Sequence, residues 1–379
     1  MKILIITANY PYKSKYDFIF LKQLIDQFAE LGHEPVVVSP RSITSTLLKR
    51  RKKYPRSVQY QTSLGTYFAF FPKFISFSNF PLLKNLNLYF FNKAILDTIK
   101  ENKLDFDIIY SHFIRHSGMS AFLVGKKYNK KYFIATGESS FRLEKNDSVL
   151  KETLLNVSGI IAVSSDVKER LLELEYKVEK SKIEVFPNAF DPKKFFPMDK
   201  ILLREKHGLA KEDFILSFVG WFNHRKGVLR VDQALKEINR QDIKILYLGS
   251  GELIPSYKNA IYVGPVQHDT LNEYLNLSDV FVLPTLNEGS CNAIIEAIGA
   301  GLPVISSNNS FNDDILDDSY SIRIDSMSIL EIKEAIMRLY NDRSLRNEMS
   351  INALSASMNF VLKQRGQKIL NFIMSKLID

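Results

Sequence analysis

Two carboxylates and two adjacent cations are the residues of this 379-residue chain whose types and spacing best suit chemistry. Glu288 and Glu296 lie eight positions apart in Pro284-Thr-Leu-Asn-Glu-Gly-Ser-Cys-Asn-Ala-Ile-Ile-Glu-Ala-Ile-Gly-Ala-Gly-Leu-Pro-Val-Ile305. A buried strand ending at Pro284 is expected, then a small-residue loop, then an apolar helix. The free N–H groups around Ser290, Cys291 and Asn292, with the positive helix end, make an anion site suited to a diphosphate. Glu288 sits on the loop and Glu296 about two turns down the helix. Carboxylates accept from hydroxyls and repel phosphate, so sugar hydroxyls are the expected partners of both. The cations come in Phe218-Val219-Gly220-Trp221-Phe222-Asn223-His224-Arg225-Lys226-Gly227, again a strand running into a loop and then a helix. Arginine forks onto phosphate oxygens, whereas lysine acts as a point charge.

These residues need elements to position them, and the chain supplies an alternating series. Lys2–Ala8 is a short apolar run. Phe18, Leu21, Leu24, Ile25, Phe28 and Leu31 recur at helical spacing up to Gly32, and 35–39 reads as the next strand. Further strands are expected over 107–110, 132–136 and 159–164. After a turn-rich break at Phe186–Pro192 the pattern restarts, with strands over 214–219, 243–248, 261–263, 280–283 and 303–306. A final helix covers 361–377. Strands alternating with helices predict parallel sheets with helices on both faces. The expected architecture is therefore α/β, with two Rossmann-like doubly wound domains facing a central cleft at their strand carboxyl ends.

The stretch from Glu288 to Pro303 resembles the Glu-x7-Glu element of the group-one glycosyltransferases, the retaining family four with the GT-B fold. The resemblance implies that Glu288 contacts the donor sugar and supports the transition state, and that Glu296 holds the ribose. It places Gly220, Arg225, Lys226, Ser290, Cys291 and Asn292 on the donor, with Lys226 also catalytic. The family opens this loop with Gly-Arg and closes it with Glu-Lys-Gly. Here Trp221 replaces the Arg and Arg225 the Glu, and Arg225 is expected to supply the missing cation. Leu248-Gly249-Ser250-Gly251 resembles the family's strand-ending Gly-x-Gly; Ile254 in the third glycine's place excludes a dinucleotide fingerprint. Val185–Asp191 resembles the hinge, with Ala189 for its Gly. The segment from Gly264 to Asp279 resembles the helix flanking the base pocket.

In the first half, Asp107-Ile-Ile-Tyr-Ser-His112 resembles a family strand that delivers a histidine, so His112 carries over as a catalytic contact to donor sugar or acceptor. Thr136-Gly137-Glu138-Ser139 stands where relatives have His-Gly-x-Asp. Glu138 has two readings there, orienting an acceptor hydroxyl or capping the following segment. Asn9, in Asn9-Tyr10-Pro11-Tyr12, replaces the family's glycine pair on the acceptor side. The resemblance implies an acceptor-binding domain over 1–190, with the helix 361–379 packing back on it, and a nucleotide-sugar-binding domain over 191–360.

Composition bounds the rest. One cysteine excludes an intrachain disulfide and fits a reducing compartment. The N-terminus reads as a buried strand and not a secretory leader, and no stretch approaches the roughly 18 apolar residues of a membrane span. Between Pro35 and Leu96 there are ten basic residues and no acidic one. The run Lys49–Lys53 and aromatics such as Tyr67, Phe68, Phe70, Phe71, Phe74, Phe77, Phe80, Tyr89, Phe90 and Phe91 fall in this segment. Basic clusters beside aromatics suit an anionic membrane surface; a solvated basic loop over core aromatics is the plainer reading. No nucleic-acid motif is present. Asp105-Phe106-Asp107 matches an Asp-x-Asp metal string, but it precedes its strand, and no Cys/His cluster suits zinc. The expectation is a cytoplasmic, metal-independent hexosyltransferase, peripheral at the inner face of the plasma membrane. It would use no cofactor and take a nucleotide sugar (UDP-linked rather than GDP-linked) together with a saccharide or lipid-linked acceptor. A GT-B sugar-nucleotide epimerase and a non-catalytic nucleotide-sugar-binding protein are the alternatives.

Overall fold

A computed structural model of the chain describes residues 1–12, 18–44, 54–77, 83–138 and 147–378. The run Lys49–Lys53, Phe80 and Ser139 lie outside the described residues. The chain forms two compact units. The first comprises Met1–Val163, Val167–Phe186 and Gly366–Asp379; the second comprises Ser164–Asp166 and Pro187–Arg365.

The first unit is built on β1 (Lys2–Thr7), β2 (Glu34–Val38), β3 (Arg41–Ser42), β4 (Ser57–Gln61), β5 (Thr66–Phe70), β6 (Lys73–Phe74), β7 (Ile108–His112), β8 (Tyr132–Thr136), β9 (Gly159–Ala162) and β10 (Ile183–Val185). Eight of these form one sheet in the order β10-β9-β8-β7-β1-β2-β5-β4. All its pairs are parallel except β4 with β5. The central strands are near-continuous apolar runs because helices cover both faces. The helix Ile19–Glu30 buries Leu21, Leu24, Ile25 and Phe28, an apolar stripe at helical spacing. Gly32, at φ 82°, stops it in the left-handed conformation that glycine adopts freely. Ile369, Leu370 and Ile373, from the helix Leu362–Ile378, complete the same core as Ile3, Ile5 and Phe28.

The second unit carries β11 (Phe214–Val219), β12 (Ile243–Leu248), β13 (Ala260–Gly264), β14 (Val280–Leu283), β15 (Val304–Ser307) and β16 (Ser321–Ile324), all parallel, in the order β13-β12-β11-β14-β15-β16. This is the doubly wound order. The winding reverses between β11 and β14, and in such sheets the carboxyl ends at the reversal are where ligands bind. In the first unit the reversal falls between β1 and β7, where Thr7 stands in register with His112.

Two local details differ from the sequence expectation. Val361 is not helical: it bridges to Phe190, and the helix begins at Leu362. Phe190 therefore belongs to the second core, which moves the changeover to Pro187 and the return to Gly366. The β4–β5 hairpin, with alternating rather than continuous burial, extends the first sheet beyond the strands expected there.

Candidate functional site

The loops after β11 and β14 meet at the reversal point of the second sheet. Gly220 ends β11, and its N–H donates to Leu248 O at 3.0 Å. Phe222 N–H reaches Ser250 O at 2.7 Å, which ties this loop to the one after β12. The approach is so close that a Cβ on Gly249 would stand 1.9 Å from Gly220 O. Gly227 then turns the chain at φ 81°, where a Cβ would meet Arg230 Nη2 at 2.5 Å, and the helix Val228–Ile238 follows. Between these glycines, Asn223 Oδ1 accepts Lys226 N–H at 2.9 Å and fixes the turn.

That turn delivers both cations to one carboxylate oxygen. Arg225 Nη1 donates to Glu288 Oε1 at 2.6 Å and to Asn287 O at 2.6 Å. Lys226 Nζ lies 2.6 Å from the same Glu288 Oε1. Thr285 Oγ1 adds a third donor at 2.9 Å. Lys226 is buried, its side chain only 11% exposed. Burial opposes its charge, but Cys291 and Glu288 outweigh burial and hold its pKa above the ordinary lysine value. Burial pushes the Cys291 thiol up.

The helix Asn292–Gly299 starts from Cys291 with no side-chain cap hydrogen bond, the Cys291 sulfur facing the Ala293 and Ile294 N–H groups. Asn292 Oδ1 is buried there without a partner. Ser290 is pinned by the strand-linking segment: Asn188 N–H donates to Ser290 Oγ, and Asn188 Nδ2 to Ser290 O, both at 3.0 Å. One turn beyond Asn292 on the same face, Glu296 Oε1 lies 3.0 Å from His268 Nε2. The His268 ring packs on Phe195 at 5.3 Å, and its Nδ1 is buried without a partner. Trp221, in the place of the expected arginine, is 58% exposed.

The structure thus brings Gly220, Arg225, Lys226, Glu288, Ser290, Cys291, Asn292 and Glu296 together within the second unit. His112 and Asn9 lie in the first, at its own reversal point. His112 ends β7, 3% exposed, packed against Phe20 at 5.4 Å and Phe113 at 4.5 Å. Asn9 N–H donates to Thr7 Oγ1, which donates to Asn9 O. Glu138 accepts from Ile114 N at 2.8 Å, Gly137 N at 3.0 Å and Thr136 Oγ1. These contacts brace the turn at Phe113, a non-glycine residue at φ 72°, and the segment that follows Glu138 lies outside the described residues. Asp105 and Asp107 lie at the amino end of the sheet, where they engage Lys2 Nζ and Lys2 N.

Sequence reasoning missed Thr285, Asn188 and His268. Thr285 follows Pro284 directly and carried a signal in that position. Asn188 and His268 lie in the hinge-like and base-pocket-like segments, but reach the site only through tertiary contacts. The aromatic segment divides: Tyr67, Phe71 and Phe91 are core, whereas Leu64, Phe68, Ile75, Leu86 and Tyr89 are exposed. Among the described residues no helix is long and apolar enough to cross a membrane.

Residues 199–355 match the family Glycosyl transferases group 1, and residues 19–194 match Glycosyltransferase Family 4. The chain is 24% identical to the Bacillus subtilis (strain 168) protein named as teichuronic acid biosynthesis glycosyltransferase TuaC, over 92% of each chain. It is 31% identical to the Escherichia coli UDP-Gal:alpha-D-GlcNAc-diphosphoundecaprenol alpha-1,3-galactosyltransferase, over 58% of this chain and 61% of that one. Among solved structures, it resembles a sucrose-phosphate synthase from Thermosynechococcus elongatus (TM-score 0.75, 17% identical, covering 100% of this chain and 99% of that one). It also resembles Anabaena HepE in complex with UDP (TM-score 0.74, 15% identical, covering 99% and 100%). At such identities the likeness carries the fold alone, and that fold is the two-domain, Rossmann-like GT-B fold.

Proposed function

The chain belongs to the group 1 glycosyltransferases, and we propose that it moves a sugar from a UDP-sugar to a lipid-linked or polysaccharide acceptor in bacterial surface polysaccharide synthesis. The observation that carries the reading is the meeting of Arg225 and Lys226 with Glu288, beside the uncapped helix that starts at Asn292. Two cations and free amides around Ser290–Asn292 suit the charge that grows on a leaving diphosphate. They supply fixed positive charge, Lys226 from a buried position, so the transfer is proposed to run without a metal. Glu288 is assigned to the donor sugar and Glu296 to the ribose. Arg225 takes the place of the arginine that Trp221 replaces. His112 is assigned to the donor sugar or the acceptor, and retention at the anomeric carbon is the proposed outcome.

Several features support the finer points. A UDP-sugar fits the E. coli relative, named for UDP-Gal, and the UDP complex of HepE. The acceptor class fits that relative's diphosphoundecaprenol substrate, and the pathway class fits the teichuronic acid protein. Exposed Phe68, Ile75, Leu86 and Tyr89 in an acid-free segment support attachment to an anionic membrane surface, at about 1 kcal/mol per nearby cation.

The test is a titration of the purified chain with UDP, GDP and a panel of their sugars in metal-free buffer, read as thermal stabilisation. A ligand bound only by the folded state raises the melting temperature by mass action. A selective shift with UDP and one of its sugars is expected. No shift with any nucleotide would overturn the donor site.

A further inference from the structure

A second cationic element lies in the first unit. Arg41 opens β3, three residues after β2 ends. Its Nη1 donates to Ala8 O at 3.2 Å and its Nη2 to Tyr10 O, one carbonyl on each side of Asn9. The guanidinium lies over the Tyr54 ring at 4.3 Å and near the Phe71 ring at 5.2 Å. Arg41 Nε is buried with no acceptor. Two residues earlier, Ser39 is fully buried, and its Oγ also lacks a partner. Two hydrogen-bond donors are therefore left over at the carboxyl end of one strand.

Arg41 lacks a counter-charge, where the buried Arg204 in the second unit has Asp279 at 2.7 Å. Burial lowers the Arg41 pKa, and only the Tyr54 and Tyr60 phenols act against it. No carboxylate pairs with Arg41 among the described residues, and the sequence holds none between Pro35 and Leu96. Burying a cation and leaving donors unpaired are both unfavourable unless something completes them.

The position says what would do so. Arg41 grips the loop after β1, at the point where the first sheet reverses its winding and where ligands of such sheets sit. Its planar fork of donors matches phosphate oxygens. Its strand partner β6 sets Lys73 opposite Arg41 and packs Phe74 on Phe91, and Ile75 beyond it is 47% exposed. We propose that Arg41 and Ser39 form an anion site at the carboxyl edge of the first sheet that takes the diphosphate of a lipid-linked acceptor. The proposal rests on the transferase function above and names its acceptor class.

The experiment uses the full chain with its nucleotide site saturated by UDP, titrated with farnesyl diphosphate, inorganic pyrophosphate and farnesol. Wild type is expected to bind farnesyl diphosphate most tightly. Arg41→Gln should weaken that binding at least about tenfold, the loss expected of a charged hydrogen-bonding partner. Arg41→Lys should weaken it less, and Ser39→Ala a few-fold. UDP binding should be unchanged in all three, which also shows that they fold. Equal binding of farnesyl diphosphate by wild type and Arg41→Gln overturns the site. Tighter binding of pyrophosphate than of farnesyl diphosphate overturns the lipid-linked source in favour of free diphosphate. A wild-type chain that binds farnesyl diphosphate through Arg41 but does not bind UDP keeps the anion site and overturns the donor reading instead.

Discussion

Lys226 Nζ stands 2.6 Å from Glu288 Oε1, and Arg225 Nη1 reaches that same oxygen at the same distance. Without a nucleotide, both cations are therefore paired with the one carboxylate assigned to the sugar, which offsets one of their two charges. A diphosphate must compete with Glu288 for both. Glu288→Gln keeps the shape and removes the competitor. Isothermal titration should show UDP binding about three- to tenfold tighter, while sugar transfer falls by about 10²–10³. Lys226→Ala should lose both. UDP affinity that falls in Glu288→Gln would sink the competition argument.

His268 holds Glu296 Oε1 at 3.0 Å, which leaves Oε2 for the proposed ligand. If that ligand is a ribose, Glu296→Ala should weaken UDP by about tenfold or more, as expected for a hydrogen bond to a charged group. Binding of 2′,3′-dideoxy-UDP, already weak, should hardly change. His268→Ala should show the same pattern at smaller size. Equal losses for both nucleotides would mean that Glu296 acts through the fold and not on the ribose.

Gly249 tests the loop geometry. Its missing side chain leaves room for Gly220 O, which a Cβ would approach to 1.9 Å. Backbone cannot rotate aside as a side chain can. Gly249→Ala should destabilise the chain by about 1–3 kcal/mol or more, seen in urea denaturation, with UDP binding lost in parallel. Gly65→Ala is the control, since a Cβ there meets nothing within 4 Å.

Asp279 predicts a pH dependence. Its carboxylate accepts Ile215 N–H at 2.8 Å, Arg204 at 2.7 Å and Lys200 at 3.0 Å. Burial raises its pKa, but Lys200 and Arg204 outweigh burial and hold it below the ordinary carboxylate value. A depressed folded-state pKa gives stability that is fully present above the unfolded value of about 4 and is lost as pH falls through the folded value. Asp279→Asn should cost about 3–5 kcal/mol at neutral pH by leaving Arg204 buried without its partner. The gap from wild type should narrow in acid. Denaturation curves at about pH 7 and pH 3 whose difference stays constant would contradict this.

The donor side was legible because its signal is local. Small residues between a strand and a helix, and carboxylates eight positions apart, sit in one continuous stretch, and the neighbouring cations in another. The central parallel strands were legible for a similar reason: burial on both faces makes them continuous apolar runs. β4 and β5 lie at the sheet edge with alternating burial, and the sequence around them reads as an aromatic surface. Arg41 is hidden in the same way. It lies in a basic segment, and only the folded chain separates it from the solvated cations by placing it against Ala8 and Tyr10. His268 meets Glu296 across 28 residues, a pairing that no periodicity encodes. Glu138 could be read two ways because its acceptors' partners, Ile114 among them, are set by the turn at Phe113.

The helix Leu362–Ile378 begins in the second unit and ends in the first, where Ile369, Leu370 and Ile373 fill the core around Ile3 and Ile5. On the ribosome this reverses the usual order, in which the N-terminal unit folds first. The second unit has all its residues once Arg365 has emerged. The first must wait with part of its interior open until the residues after Gly366 are made. Nascent chains halted near position 360 should therefore expose apolar surface of the earliest-made strands, and a nonsense mutation late in the reading frame would damage the half of the protein translated first.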